Sequence, residues 1–246
     1  MVRIKCEVTY DGTDYCGFQS QPKVRTVQGV IEKALVTIHK GQSVPIYASG
    51  RTDASVHAIG QVFHFDTELD IPPERWPRVF ESLLPPDVTI TQAEAVSDDF
   101  HARYSAVKKE YRYRVLLKEK DVFRRHYSFR VPYNVNIVAL KDASKHLIGT
   151  HDFTSFCSTK TTKENKVRTI YELDIIEEQD ELIFRIVGSG FLHNMVRIIV
   201  GTLLEVGYER KKPDDILKII EVKNRKAAGK TAPGHGLFLW KVSYED

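Results

Sequence analysis

Residues 2–10, VRIKCEVTY, alternate strictly: Val2, Ile4, Cys6, Val8 and Tyr10 fall on one side and Arg3, Lys5, Glu7 and Thr9 on the other. A period of two predicts a strand covered on one face. After a Gly-containing loop the period lengthens. Val27, Val30, Ile31, Ala34, Leu35 and Ile38 recur at helical spacing, and Thr26 stands where a cap belongs. Residues 44–49 (VPIYAS) and 60–67 (GQVFHFDT) read as strands, 72–84 (PPERWPRVFESLL) as a helix that Pro77 kinks or shortens, and 87–96 as a strand.

The pattern then repeats in outline. Residues 107–117 (VKKEYRYRVLL) predict a strand, and 137–149 a helix capped by Asn136 and ended by Gly149. Residues 166–178 and 181–189 predict two strands. A helix follows from Phe191 to about Val206, another after Pro213, and 236–244 (GLFLWKVSY) is a closing strand. Each half therefore runs strand–helix–strand–strand–helix–strand, with one extra helix in the second. This is an α/β (α+β) chain of two split-βαβ-like halves, residues 1–105 and 106–246, with antiparallel sheets and helices on the outer faces. An active-site cleft between the halves is the expectation.

Composition adds limits. With 42% apolar and 28% charged residues, the 246-residue chain is ordinary for a globular protein and long enough to bury a core. No apolar run approaches the length of a membrane span, and the N-terminus reads as a strand rather than a signal peptide, which favours the cytoplasm. Cys6, Cys16 and Cys157 are odd in number and scattered, and no His/Cys cluster has metal spacing, so neither a disulfide framework nor a metal is expected.

The net charge of +3 hides an asymmetry. Residues 1–105 hold 10 Lys/Arg against 14 Asp/Glu, and residues 106–246 hold 26 against 19. The excess is clustered, at Lys108, Lys109, Arg112 and Arg114; Arg124, Arg125 and Arg130; Lys160, Lys163, Lys166 and Arg168; Arg210, Lys211 and Lys212; and Lys223, Arg225, Lys226 and Lys230. Interleaved with aromatics, such clusters suit a polyanionic partner, although any one of them also fits a solvated surface.

Three stretches bear on chemistry. In residues 50–61, GRTDASVHAIGQ, an extended backbone would aim Arg51 and Asp53 to one side and Thr52 to the other. That is either a loop with a local ion pair or a carboxylate held for catalysis. In KKEYRYRV, Tyr111 and Tyr113 share a face and Arg112 and Arg114 the other. This reads as an ordinary strand with aromatics inward, or as a stacking platform flanked by phosphate-binding arginines. In FLHNMVRIIVGTLLEVG, Arg197 sits among Met195, Val196, Ile198 and Ile199 and needs a partner, for which Asp53 is the carboxylate unaccounted for. His57 fits a backbone-satisfied loop histidine better than a general base, and His151, Asp152 and Cys157 lack the spacing of a nucleophile site.

Taken together, YDGTDYCGFQSQ, TVQGVIEKAL, GRTDASVHAIGQVFHF, KKEYRYRV, HDFTSF, GFLHNMVRIIVGTLLEVG and APGHGLFLWKV, in this order, resemble the tRNA pseudouridine synthase A family over nearly the whole chain. The resemblance implies isomerisation of uridine to pseudouridine at positions 38, 39 or 40 of the tRNA anticodon arm, without metal or cofactor, by a homodimer. Carried over by motif, Asp53 is the nucleophile, attacking ribose or base. Tyr111 packs against the target base, Arg51 fills space left by the flipped nucleotide, and Arg197 pairs with Asp53. Ser55 stands where the family usually has glycine, a departure that would cost something at a left-handed backbone position. The rival readings are a non-catalytic RNA-binding protein and a hydrolase using Cys157 or His151.

Overall fold

The computed structural model describes residues 1–117 and 119–245. The chain divides into two compact units, Met1–Val107 together with the chain from Phe238 on, and Lys108–Leu237. The closing strand thus counts with the first unit, whereas a division at 105/106 leaves it in the basic half.

In the first unit, β1 (Val2–Tyr10), α1 (Val27–Ile38), β2 (Tyr47–Ala48), β3 (His57–Thr67), α2 (Trp76–Glu81) and β4 (Val88–Val96) follow one another. β1 lies between β4 and β3, antiparallel to both, with Cys6 opposite Phe63 and Ala93. Ile4, Cys6 and Val8 are buried as their alternation requires, and Phe63 and Phe65 join them from β3. Val27, Ile31 and Leu35 of α1 and Trp76 and Phe80 of α2 are buried too, with Phe65 edge-on to the Trp76 ring at 5.0 Å. Each such buried side chain stabilises the fold by roughly 1.5–3 kcal/mol. Thr26 Oγ1 accepts from the Gly29 amide at 3.3 Å, so the expected cap is formed. The expected helix over 72–84 is cut to a 3-10 turn at Pro73–Arg75 and the six residues of α2, because Pro77 falls in the first turn, where a missing N–H costs nothing.

The second unit holds β5 (Lys108–Leu116), β6 (Phe129–Arg130), α3 (Ile137–Lys145), β7 (Gly149–Asp152), β8 (Val167–Glu178), β9 (Glu181–Gly188), α4 (Met195–Gly207) and α5 (Asp215–Val222). Its strands run in the order β5-β9-β8-β7, each antiparallel to its neighbour, with β6 parallel to β5 at the other edge. α4 starts at Met195 rather than Phe191, since Asn194 adopts φ +62° and breaks the helical path. The last strand, β10 (Leu237–Ser243), returns to the first unit and pairs in parallel with β3 through Phe238 and Leu239. Ten strands and five α-helices are therefore present among the described residues, in the mixed α/β arrangement expected.

Candidate active site

In the first unit the GRTD loop joins β2 to β3, and buried polar groups hold it from below. Gln61 is fully buried in β3. Its Oε1 accepts from Ser49 Oγ at 2.7 Å and from the Val62 amide at 3.1 Å, and its Nε2 donates to the Gly50 carbonyl at 3.0 Å. Tyr10 OH meets Thr52 Oγ1 at 2.8 Å, which draws Thr52 inward. Burial pushes the Tyr10 phenol up, so the hydroxyl stays protonated and serves only as a hydrogen-bonding group. A second loop closes over the first. Phe18 N donates to Thr52 O at 3.1 Å, and Ser55 N to Tyr15 O at 3.3 Å. Gly17 makes this approach possible. At φ +96°, a Cβ there would lie 2.7 Å from Thr52 O.

With Thr52 buried, Arg51 is exposed and Asp53 half-buried. Val56 N donates to Asp53 O at 3.2 Å, closing the turn after it. Ser55, in that turn, has φ +61°, the left-handed region in which serine in place of the family's usual glycine carries a cost. His57 is no loop residue. It begins β3, is buried, accepts from the Gly12 amide through Nδ1 at 3.0 Å and stacks on Phe238 at 4.6 Å. Those contacts make it a brace between the Gly12 loop and β10.

In the second unit, Tyr111 and Tyr113 do share a face of β5. Tyr111 is 8% exposed and stands edge-on to Phe191, ring centroids 5.1 Å apart. Tyr113 is fully buried, its hydroxyl donating to Pro233 O at 2.8 Å, so it offers no stacking surface. The arginines expected to flank these rings are ion-paired. Arg112 Nε donates to Glu110 at 2.7 Å, and Arg114 Nε to Glu181 at 2.8 Å. Arg124 forks onto Asp180 at 2.7 and 2.8 Å. Planar guanidinium–carboxylate pairing gives each of these cations a partner within the protein.

Arg197 lies half-buried on α4. It donates through Nε to Ala232 O at 2.7 Å and through Nη1 to Asn194 Oδ1 at 2.9 Å. The segment that supplies Ala232 is drawn onto α4 where Gly201 has no side chain, since a Cβ there would lie 1.8 Å from Lys230 O. Thr202 Oγ1 secures it further by accepting from Gly229 N at 2.9 Å.

No nucleophile site forms around Cys157. The thiol is buried and burial pushes its pKa up. His151 Nε2 contacts Ile148 O, and Asp152 accepts from Thr154 and from Lys223 at 2.9 Å. No His/Cys/Asp/Glu group suited to a metal ion occurs among the described residues, and none of their helices is long and apolar enough to cross a membrane. Sequence reading passed over Tyr10, Ser49 and Gln61. The only signal was an amide in the apolar run of residues 57–65.

The family described as "tRNA pseudouridine synthase" matches residues 8–105 and 143–245. "tRNA pseudouridine synthase A" of Anoxybacillus flavithermus is 61% identical, with both chains covered in full. That of Bacillus subtilis is 56% identical, again over the whole of both chains. Among solved structures, one titled "Crystal Structure of a Cbf5-Nop10-Gar1 Complex" overlaps 82% of this chain and 54% of that one, at 12% identity and a TM-score of 0.34, too loose a fit to argue from. On the family match and the full-length identities, the chain belongs to the tRNA pseudouridine synthase family and is an isomerase acting on uridine in tRNA.

Proposed function

We propose that the chain converts uridine to pseudouridine at positions 38, 39 or 40 of the tRNA anticodon arm, with Asp53 as nucleophile. The observation that carries this reading is the setting of Asp53. Its loop is fixed on both sides by hydrogen bonds from buried side chains, Tyr10 and Gln61, while Asp53 itself stays half-exposed. A carboxylate held this way loses little freedom when it attacks, which is how positioning lowers a barrier.

The chemistry is a balanced isomerisation. The C1′–N1 bond breaks, the uracil turns, C1′–C5 forms, the C5 proton leaves and N1 gains one, with no net oxidation. Asp53 attacks either the ribose C1′ or the base and is released at the end. The target must first leave the stem, at a cost of a few kcal/mol. In this reading Arg51, exposed beside Asp53, fills the space the nucleotide vacates, Tyr111 packs on the target base, and Arg197 is the cation that serves the carboxylate. The enzyme works as a cytoplasmic homodimer.

The test is single-turnover pseudouridine formation by Asp53→Asn at saturating tRNA. The substitution is nearly isosteric and removes the attacking charge, so turnover should vanish while tRNA affinity stays within about tenfold, or about 1.4 kcal/mol. Wild-type rates would sink the assignment of Asp53.

A further inference from the structure

The first unit also carries a chain of four rings. His64 of β3 is 2% exposed and stacks on Tyr47 of β2, centroids 5.2 Å apart and planes 22° from parallel. His101 stands edge-on to His64 at 4.8 Å, and Tyr104 lies against His101 at 4.4 Å. The two ends of the chain face water, with Tyr47 49% and Tyr104 77% exposed. The Arg103 guanidinium sits 5.7 Å from the centre of the Tyr104 ring.

The segment bearing these rings is held at every step. Arg3 donates to Phe100 O at 2.9 Å, and the Ala102 amide to His64 Nδ1 at 3.2 Å. Tyr244 OH donates to Ala102 O at 2.8 Å, and the His101 amide to Ser105 Oγ at 3.0 Å. Ordering a segment costs entropy at each residue, and an exposed tyrosine recovers little of it by burial. The anchors therefore present a rigid, open aromatic surface. Its middle is uncharged, because burial holds the His64 imidazole down to about 4, with His101 and Arg3 beside it adding to the effect. Its charge comes from Arg103 at the rim. Flat π-faces next to a cation match a nucleobase and its phosphate, whereas an aliphatic partner would leave Arg103 desolvated without a counter-charge.

We propose that Tyr47 and Tyr104, braced by His64 and His101 and flanked by Arg103, form a stacking surface for an unpaired nucleotide of the tRNA substrate. This rests on the family's tRNA substrate and not on the role of Asp53. It adds a substrate-holding surface to the isomerisation site.

The experiment uses the full chain and an unmodified tRNA transcript with uridines at positions 38–40. Tyr104→Ala should raise the tRNA Kd about 5- to 150-fold, the equivalent of the about 1–3 kcal/mol that stacking one base is worth. Tyr104→Phe keeps the ring and should stay within about twofold. In both, kcat at saturating tRNA should match the wild type, so the effect falls on KM alone. Asp53→Asn should do the reverse, and the two assignments therefore fail separately. A Kd for Tyr104→Ala within twofold of wild type overturns the proposal. So does a change in oligomeric state at equal concentration, which would assign the patch to a second copy of the chain. Photo-crosslinking of 4-thiouridine-substituted tRNA to the wild-type protein needs no variant. Crosslinks at Tyr47 or Tyr104 support the surface, and crosslinks found only elsewhere overturn it.

Discussion

The side-chain amide of Gln61 donates to the carbonyl of Gly50 at 3.0 Å, tying the strand that follows the GRTD loop to the residue that opens it. Its oxygen accepts from Ser49 and Val62 at the same time, so one buried side chain fixes both ends of the loop. Replacing Gln61 with Met keeps the bulk and removes the hydrogen bonds to the Ser49 hydroxyl and the Gly50 carbonyl. Losing a hydrogen bond of this kind costs about 0.5–1.5 kcal/mol, which thermal unfolding will register. Single-turnover rates of the folded fraction should fall, while the tRNA Kd holds. Gln61→Glu restores the two accepting contacts but not the donated one, so it should recover stability in part and rate hardly at all. A Met variant with an unchanged rate would show that loop placement does not depend on Gln61.

Ser55 pays for its backbone. At φ +61° a side chain costs roughly 1–2 kcal/mol relative to a right-handed conformation, and glycine escapes most of this at some cost in unfolded-state entropy. Ser55→Gly should therefore stabilise the protein by up to about 1 kcal/mol in denaturant titration, with pseudouridine formation unaffected. A destabilised Ser55→Gly would mean that the hydroxyl compensates the strain through contacts of its own.

His64 makes a prediction about pH. Burial, joined by His101 and Arg3 and opposed by Asp66, lowers its pKa to about 4. Between that value and the ordinary value of 6.5 the unfolded chain binds the proton and the native chain does not. This contribution to stability is therefore intact above about pH 6.5, is lost as the pH falls towards 4, and levels off below. His64→Gln lacks the titration, so the difference in unfolding free energy between the two proteins should change with pH only in that window. Parallel curves would show that His64 titrates normally.

Much of this architecture was legible because it is local. The alternation of residues 2–10 and the caps at Thr26 and Asn136 each rest on neighbours within a few positions; β1 and α1 formed as read, and α3 formed on its Asn136 cap but ends at Lys145 rather than at Gly149, which instead begins β7. β6 and β7 were missed, since strands of two and four residues carry too little alternation to register. Asn194 has a side chain that tolerates a left-handed backbone, but nothing in the apolar run from Phe191 marks it as the break before α4. The arginines of β5 went astray for a different reason. Glu181, the partner of Arg114, arrives from β9 by sheet register, and Arg185 of β9, opposite Arg112, shares Glu110 with it, whereas Arg112 pairs with Glu110 on its own strand. Likewise His64 and His101 are far apart in sequence and meet only in the fold.

That pairing changes which cations should matter for tRNA. Neutralising a phosphate releases counterions, so each contact adds about 0.7–0.9 to the magnitude of the log–log salt slope of binding. Arg112 is matched to Glu110, and replacing both with Gln removes one charge of each sign. The double variant should bind tRNA with an unchanged slope. Lys160 and Lys226 are exposed and have no carboxylate partner among the described residues. If both hold phosphates, Lys160→Gln with Lys226→Gln should flatten the slope by about 1.4–1.8 and weaken binding alike for every tRNA sequence. Binding titrations from low to moderate salt decide the matter. A slope that Arg112→Gln with Glu110→Gln flattens, and the lysine pair does not, would mean that the ion pairs of the sheet open to take the RNA. A nearly flat salt dependence in the wild type would leave the basic clusters as solvated surface and place the burden of binding on stacking and shape.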